Sequence, residues 1–322
     1  MRLAVPLTIN RAAFDGWRAD APVVDLDGQT MGTTWHVRIA ASDGFDRAAL
    51  QTAIDERLEA ILAQMSHWRA NSVLGRFNRA PGGTWMHVPR DFADVLQAGL
   101  DVFERSGGAF DPAIGALVDA WGFGPEPAIG PPDDQALAQL RARSGAVHLA
   151  YDQDGARLRQ PGGLRLDFSG IAKGFAVDAL GAVLRDQGYR HGLVEIGGEL
   201  LGLGLRPDGD PWWVDLETPA GMIAPLRVAL HQLAVATSGD YIRGRHTIDP
   251  RTGRPVEHAL TLSVLHSSAM LADAWATALS VLQPLEALAL ATREALAVRA
   301  LVREPGSVTE WISPALTAMM QS

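Results

Sequence analysis

The chain has 322 residues, 47% hydrophobic and 20% charged, which is enough apolar material for one large core or two modest ones. Its formal charge of −9 is spread along the chain with no long Lys/Arg run. That argues against nucleic-acid binding and obliges any anionic ligand to bring a cation or find local basic groups. The absence of cysteine excludes disulfides, thiolate metal centres, cysteine nucleophiles and lipobox lipidation.

The first twenty residues carry an apolar run too short for a signal-peptide core and broken by Pro6 and Asn10. No stretch approaches the roughly 20 apolar residues of a membrane span. A cytoplasmic chain with no stable membrane insertion is the expectation, or a periplasmic one if a leader is missing. Residues 33–39 read as a strand after Met31-Gly32. Residues 46–65 read as an amphipathic helix, with Leu50, Ile54, Leu58, Ile61 and Leu62 at helical spacing. The pattern repeats over 92–103 and stops at Gly107-Gly108. Glycine and proline crowd into 121–132, a loop that reads as the seam between two lobes. Residues 147–159 read as a hairpin around Asp154-Gly155. A helix over 171–187 closes at Gly188, and strands follow at 193–196, 200–205, 212–217, 226–230 and 261–265. A helix covers 268–282, and Pro284 opens another. This alternation predicts an α/β or mixed α+β class in a single compact unit.

Four constellations carry candidate chemistry. Asp273 and Thr277 stand four residues apart on a helix, which leaves about 40° between them and places both side chains on one face. A carboxylate beside a hydroxyl is an oxygen-only site of the kind magnesium accepts. An acid that caps a turn or faces solvent would explain the same letters. In Asp167-Phe-Ser-Gly-Ile-Ala-Lys-Gly174 a strand gives way to a helix whose first turn would attract an anion. Lys173 adds charge there, and Gly170 leaves a backbone carbonyl accessible to a cation. An ordinary turn with Ser169 as N-cap is the plainer alternative. Ala236-Thr-Ser-Gly-Asp-Tyr241 precedes Arg245-His-Thr-Ile-Asp-Pro250. His246 titrates where a general base is useful, with Asp249 either orienting it or independent of it. A structural histidine is the competing reading. Finally, Gly107-Gly-Ala-Phe-Asp-Pro112 lets backbone approach a flat ligand, with Asp111 as a possible acceptor, or merely ends a helix. No dinucleotide-binding spacing, Walker A, HExxH or GxSxG sequence occurs.

In this order these segments resemble the ApbE family of FAD:protein FMN transferases. Met31-Gly-Thr33, Met65-Ser66 with Phe77-Asn78, Gly108-Ala-Phe-Asp-Pro112 and Trp121-Gly-Phe-Gly-Pro125 carry the first half of the resemblance. Asp167–Gly174, Glu195-Ile-Gly-Gly-Glu199, Ala236–Tyr241, His246–Pro250 and Ala272-Asp-Ala-Trp-Ala-Thr277 carry the rest. The resemblance implies one domain over 30–322, preceded by an extension over 1–29, with two lobes around a flavin cleft. It implies Mg2+ held by Gly170, Asp273 and Thr277. It places FAD, as substrate, against Met31, Trp68, Ala109, Phe110, Asp111, Asp167, Lys173 and Thr247, and makes His246 the base. Trp68 departs from the tyrosine common among relatives; it can stack and donate, but not accept, a hydrogen bond. The implied reaction is magnesium-dependent transfer of FMN to a Ser/Thr hydroxyl of an acceptor flavoprotein, releasing AMP. An FAD pyrophosphatase and a non-catalytic flavin carrier are the alternatives.

Overall fold

The computed structural model describes residues 2–41, 43–128, 130–218, 223–239, 246–304 and 307–321. At its centre eight strands pair in the order Ser307–Ile312, Ala297–Glu304, Ala259–His266, Leu233–Gly239, Glu199–Leu203, Gly192–Ile196, Thr33–Ala40 and Val23–Thr30. Every neighbouring pair is antiparallel, so the mixed class takes its α+β form, with helices packed against the sheet rather than crossing between parallel strands. Side chains alternate between faces, and both faces of the central strands are covered. Ala234, Val264 and Val298 join the main core, while their neighbours Val235, Leu265 and Ala297 join a second cluster with Trp212, Leu226 and Leu316.

The stretch before residue 30 is built into these sheets. Val23–Thr30 forms the edge strand through a Met31-Gly32 turn with φ of 50° and 73°, the left-handed pair that suits a two-residue hairpin. Arg2–Ala4 runs parallel to Leu226–Val228 in a separate three-stranded sheet, with Ala4 fully buried.

The helix Arg47–Met65 starts at its Asp46 cap, and Arg90–Ser106 ends at Gly107 with φ 65°, both as the sequence patterns predict. Two further helices, Ala172–Asp186 and Ala269–Val281, pack together between the sheet and the outer helices. Their approach is close: a Cβ at Gly174 would stand 2.2 Å from the Ala269 carbonyl oxygen. A smaller apolar cluster of Leu117, Leu137 and Ile248 joins the helices Gly115–Ala120 and Asp134–Arg141 to the short hairpin Ile248–Asp249 and Arg254–Pro255. Among the described residues no helix is long and apolar enough to cross a membrane.

Candidate active site

The paired helices are laced by two carboxylates, each set at the other helix's first turn. Asp273 Oδ2 accepts the Gly174 N–H at 3.0 Å. In return Asp178 accepts from the Ser268 hydroxyl at 2.7 Å and from the Ala269 and Met270 amides at 2.9 and 3.0 Å. Free amides at helix N-termini favour negative charge, so each contact satisfies a donor and complements a dipole. The crossing brings Gly170 against Thr277, where a Cβ on Gly170 would lie 2.8 Å from Thr277 Oγ1. Thus Gly170, Thr277 and Asp273, separated in sequence by about a hundred residues, meet at one end of the helix pair. Ser169 is not the cap: its N–H donates to Asp167 Oδ1 at 2.7 Å, and the helix starts at Ala172 after Ile171.

A second acid joins this end. Glu199, 2% exposed at the start of its strand, accepts a hydrogen bond from Lys173 Nζ. Burial pushes its carboxyl up to about 7, with the nearby Asp273 charge adding to the shift and Lys173 opposing it. Burial likewise pushes the Asp273 carboxyl up, against Lys173 and the Gly174 N–H. Glu199 Oε2 has no hydrogen-bond partner among the described residues. Asp273, with the Thr277 hydroxyl and the Gly170 backbone beside it, makes an oxygen-only donor set that fits a hard divalent cation such as magnesium. Among the described residues no cluster of three His, Cys, Asp or Glu side chains offers a metal site of another kind.

The flavin-side candidates lie nearby through backbone contacts. Asp167 N–H donates to Pro112 O and Gly115 N–H to Arg165 O, each at 2.9 Å, which holds the 107–112 loop against the turn leading to Gly170. Within that loop Ala109 and Phe110 are core residues, and the Asp111 carboxylate accepts from the Ala113 and Ala146 amides at 2.8 and 3.0 Å. Asp111 is therefore occupied in organising the loop; burial raises its pKa while those amides oppose the rise. Beside Asp167 opens a cleft lined by His67, Asn78, Arg79, Asp119 and Arg165. Asn78 holds its floor by exchanging two hydrogen bonds with the Leu166 backbone, at 2.8 and 2.9 Å. Trp68 is 65% exposed and leans on His67, with ring centroids 5.3 Å apart. Met31, half-buried against the core, sits at a turn whose neighbour is Gly197-Gly198, since Gly197 N–H donates to Thr34 O at 3.1 Å.

His246 and Thr247 are both half-buried and lead into the short hairpin. Thr247 O accepts the Val256 N–H at 2.9 Å, and Trp121 Nε1 donates to Gly253 O at 2.7 Å, so the expected seam loop fastens this hairpin to the smaller cluster. The Asp249 carboxylate takes the Arg251 amide at 2.8 Å and the Arg251 guanidinium at 3.1 Å. Asp240, Tyr241 and Arg245 lie outside the described residues.

Residues 31–302 match the ApbE family. The chain belongs to that family. It is 35% identical over 312 residues to the FAD:protein FMN transferase of Vibrio cholerae, covering 92% of this chain and 93% of that one. It is 34% identical over 304 residues to the enzyme of that name from Klebsiella pneumoniae, covering 90% and 87%. Among solved structures, the flavin transferase ApbE from Vibrio cholerae superposes with a TM-score of 0.87 at 35% identity, over 92% of this chain and 99% of that one. The apo flavinyl transferase ApbE of Pseudomonas stutzeri gives 0.87 at 36%, over 93% and 97%.

In this ApbE-family chain, two acids with evident bearing on the site, Glu199 buried and Asp178 half-buried, were not assigned from sequence. Glu199 stood inside a matched motif, yet its role depends on Lys173, 26 residues away, and on Asp273 across the helix pair. Asp178 carries no motif at all. The available signal was its place on a buried helix where an unpaired acid would be costly.

Proposed function

We propose that this ApbE-family chain uses magnesium to transfer the FMN half of FAD to a Ser or Thr hydroxyl of an acceptor flavoprotein, releasing AMP. Transferase chemistry between FAD and a protein comes with the family; the acceptor group, the products and the ion are our finer reading. The observation that carries it is the meeting of Gly170, Asp273 and Thr277 at a helix N-terminus that also presents Lys173. Gly170 would offer its carbonyl, Asp273 a carboxylate oxygen and Thr277 its hydroxyl to the ion. Bound there, magnesium supplies Lewis acidity and neutralises phosphate charge.

The chain's own groups do the rest. Lys173, in the first turn of Ala172–Asp186, holds the pyrophosphate, which a chain of charge −9 would otherwise repel. Met31, Trp68 and the 109–111 backbone bracket the flavin ring. His246 takes the proton of the acceptor hydroxyl as its oxygen bonds to the FMN-side phosphorus. The bond from that phosphorus to the bridging oxygen breaks, and the oxygen leaves on AMP. Incubating the protein with FAD and magnesium, with and without acceptor, tests this reading. AMP should appear in step with protein-bound FMN and only slowly without acceptor. Free FMN formed equally fast without acceptor would make the chain a pyrophosphatase, and uncleaved bound FAD would make it a carrier.

A further inference from the structure

Taking that reading of the FAD site as given, we propose that Glu199 is a positioning residue that fixes the Lys173 ammonium for the pyrophosphate. Three observations carry this. Glu199 is rigidly placed: it follows Gly197-Gly198, with φ of 59° and 103°, and pairs with Ile196 across that tight turn. Its strand is then held on the other side by Leu233–Gly239. Lys173 is the opposite kind of group, a point charge on a flexible four-carbon stem that needs an anchor to present its ammonium in one place. The hydrogen bond from Nζ to Glu199 Oε1 joins the flexible group to the rigid one. As a stability device this contact is a poor choice. The carboxylate is 2% exposed, its other oxygen has no partner among the described residues, and buried ion pairs seldom repay their desolvation. A carboxylate kept at that cost beside the phosphate-facing helix end is explained by what it does to Lys173.

Glu199 acts through Lys173, and a double-mutant cycle isolates that dependence. FAD affinity in magnesium is measured by flavin fluorescence for the unaltered protein, Glu199→Gln, Lys173→Met and the double variant. Each single variant should bind FAD about tenfold more weakly, the scale of one charge-assisted contact. The double variant should bind no more weakly than Lys173→Met alone. Losses that multiply, or a Glu199→Gln variant that binds FAD normally, would overturn the proposal. If Glu199→Gln does not fold, Glu199→Asp serves. It keeps the charge but withdraws the anchor by one methylene, and should weaken binding only when Lys173 is present. Because the readout is binding, it separates from the proposed reaction: an unaltered protein that binds FAD but forms no adduct would fail the transfer reading alone.

Discussion

Removing the Asp178 carboxylate should unfasten the helix that carries Asp273 and Thr277. In Asp178→Ala three donors lose their acceptor: the Ser268 hydroxyl and the Ala269 and Met270 amides, at 2.7 to 3.0 Å. Hydrogen bonds to an ionised group contribute about 1.5–3 kcal/mol each, but these donors are only partly buried and water replaces some of the loss. The Ser268 hydroxyl also still caps its own helix by accepting the Leu271 N–H. We therefore expect about 3 kcal/mol for Asp178→Ala and about 1 kcal/mol for Asp178→Asn, which keeps an acceptor. At about 2.1 cal/mol/K per residue, a chain of 322 residues has an unfolding entropy near 0.7 kcal/mol/K, so the alanine variant should melt about 4 °C lower. Thermal unfolding by circular dichroism, without added magnesium, reads this directly. The magnesium concentration for half-maximal transfer should rise with it, because the loosened turn lies one turn before Asp273. An alanine variant that melts within 1 °C of the unaltered protein would refute the lacing of the two helices.

Gly170→Ala should put a methyl 2.8 Å from Thr277 Oγ1, raise the magnesium requirement about tenfold and cost about 1–3 kcal/mol of stability. An unchanged magnesium titration would contradict the placement of the ion. His246→Ala should lower FMN transfer by about 10²–10⁴-fold while leaving FAD binding intact, as stopped turnover with retained fluorescence quenching would show; undiminished transfer would remove His246 as the base. His191 gives the pH dependence of stability. Its Nδ1 accepts the Leu205 N–H at 3.0 Å, its Nε2 meets Asp15 O at 3.1 Å, and burial lowers its pKa. The folded state thus favours the neutral ring, so this stability is complete above the unfolded value near 6.5 and declines as pH falls towards the folded value. Melting temperature should drop between pH 7.5 and 5.5, and less so in His191→Gln, which can supply both an acceptor and a donor. Parallel curves for the two proteins would contradict it.

Local signals made much of the fold legible. The helix over 47–65 shows its core stripe as Leu50, Ile54, Leu58 and Ile61, and Asp46, Ser268 and Gly107 mark helix ends by cap chemistry. Two of the strands that escaped show why. Ala297–Glu304 is buried on both faces and contains Arg299, 1% exposed and paired with Glu310 at 2.7 Å, which breaks any strand-like rhythm. Val23–Thr30 carries two acids and a glycine on an edge, and owes its state to eight pairings with Thr33–Ala40. For the candidate site, the Asp273/Thr277 pair was visible because it is local. Glu199 with Lys173 and Asp178 with Ser268 depend on which segments meet, which spacing does not encode.

The most direct test of the account is intact-mass spectrometry of a candidate acceptor flavoprotein after incubation with this protein, FAD and magnesium. A covalent FMN adduct should appear on a Ser or Thr of the acceptor, and be absent in chelator and with Asp273→Ala. An unmodified acceptor beside accumulating free FMN, or adduct formed at full rate in chelator, would contradict it.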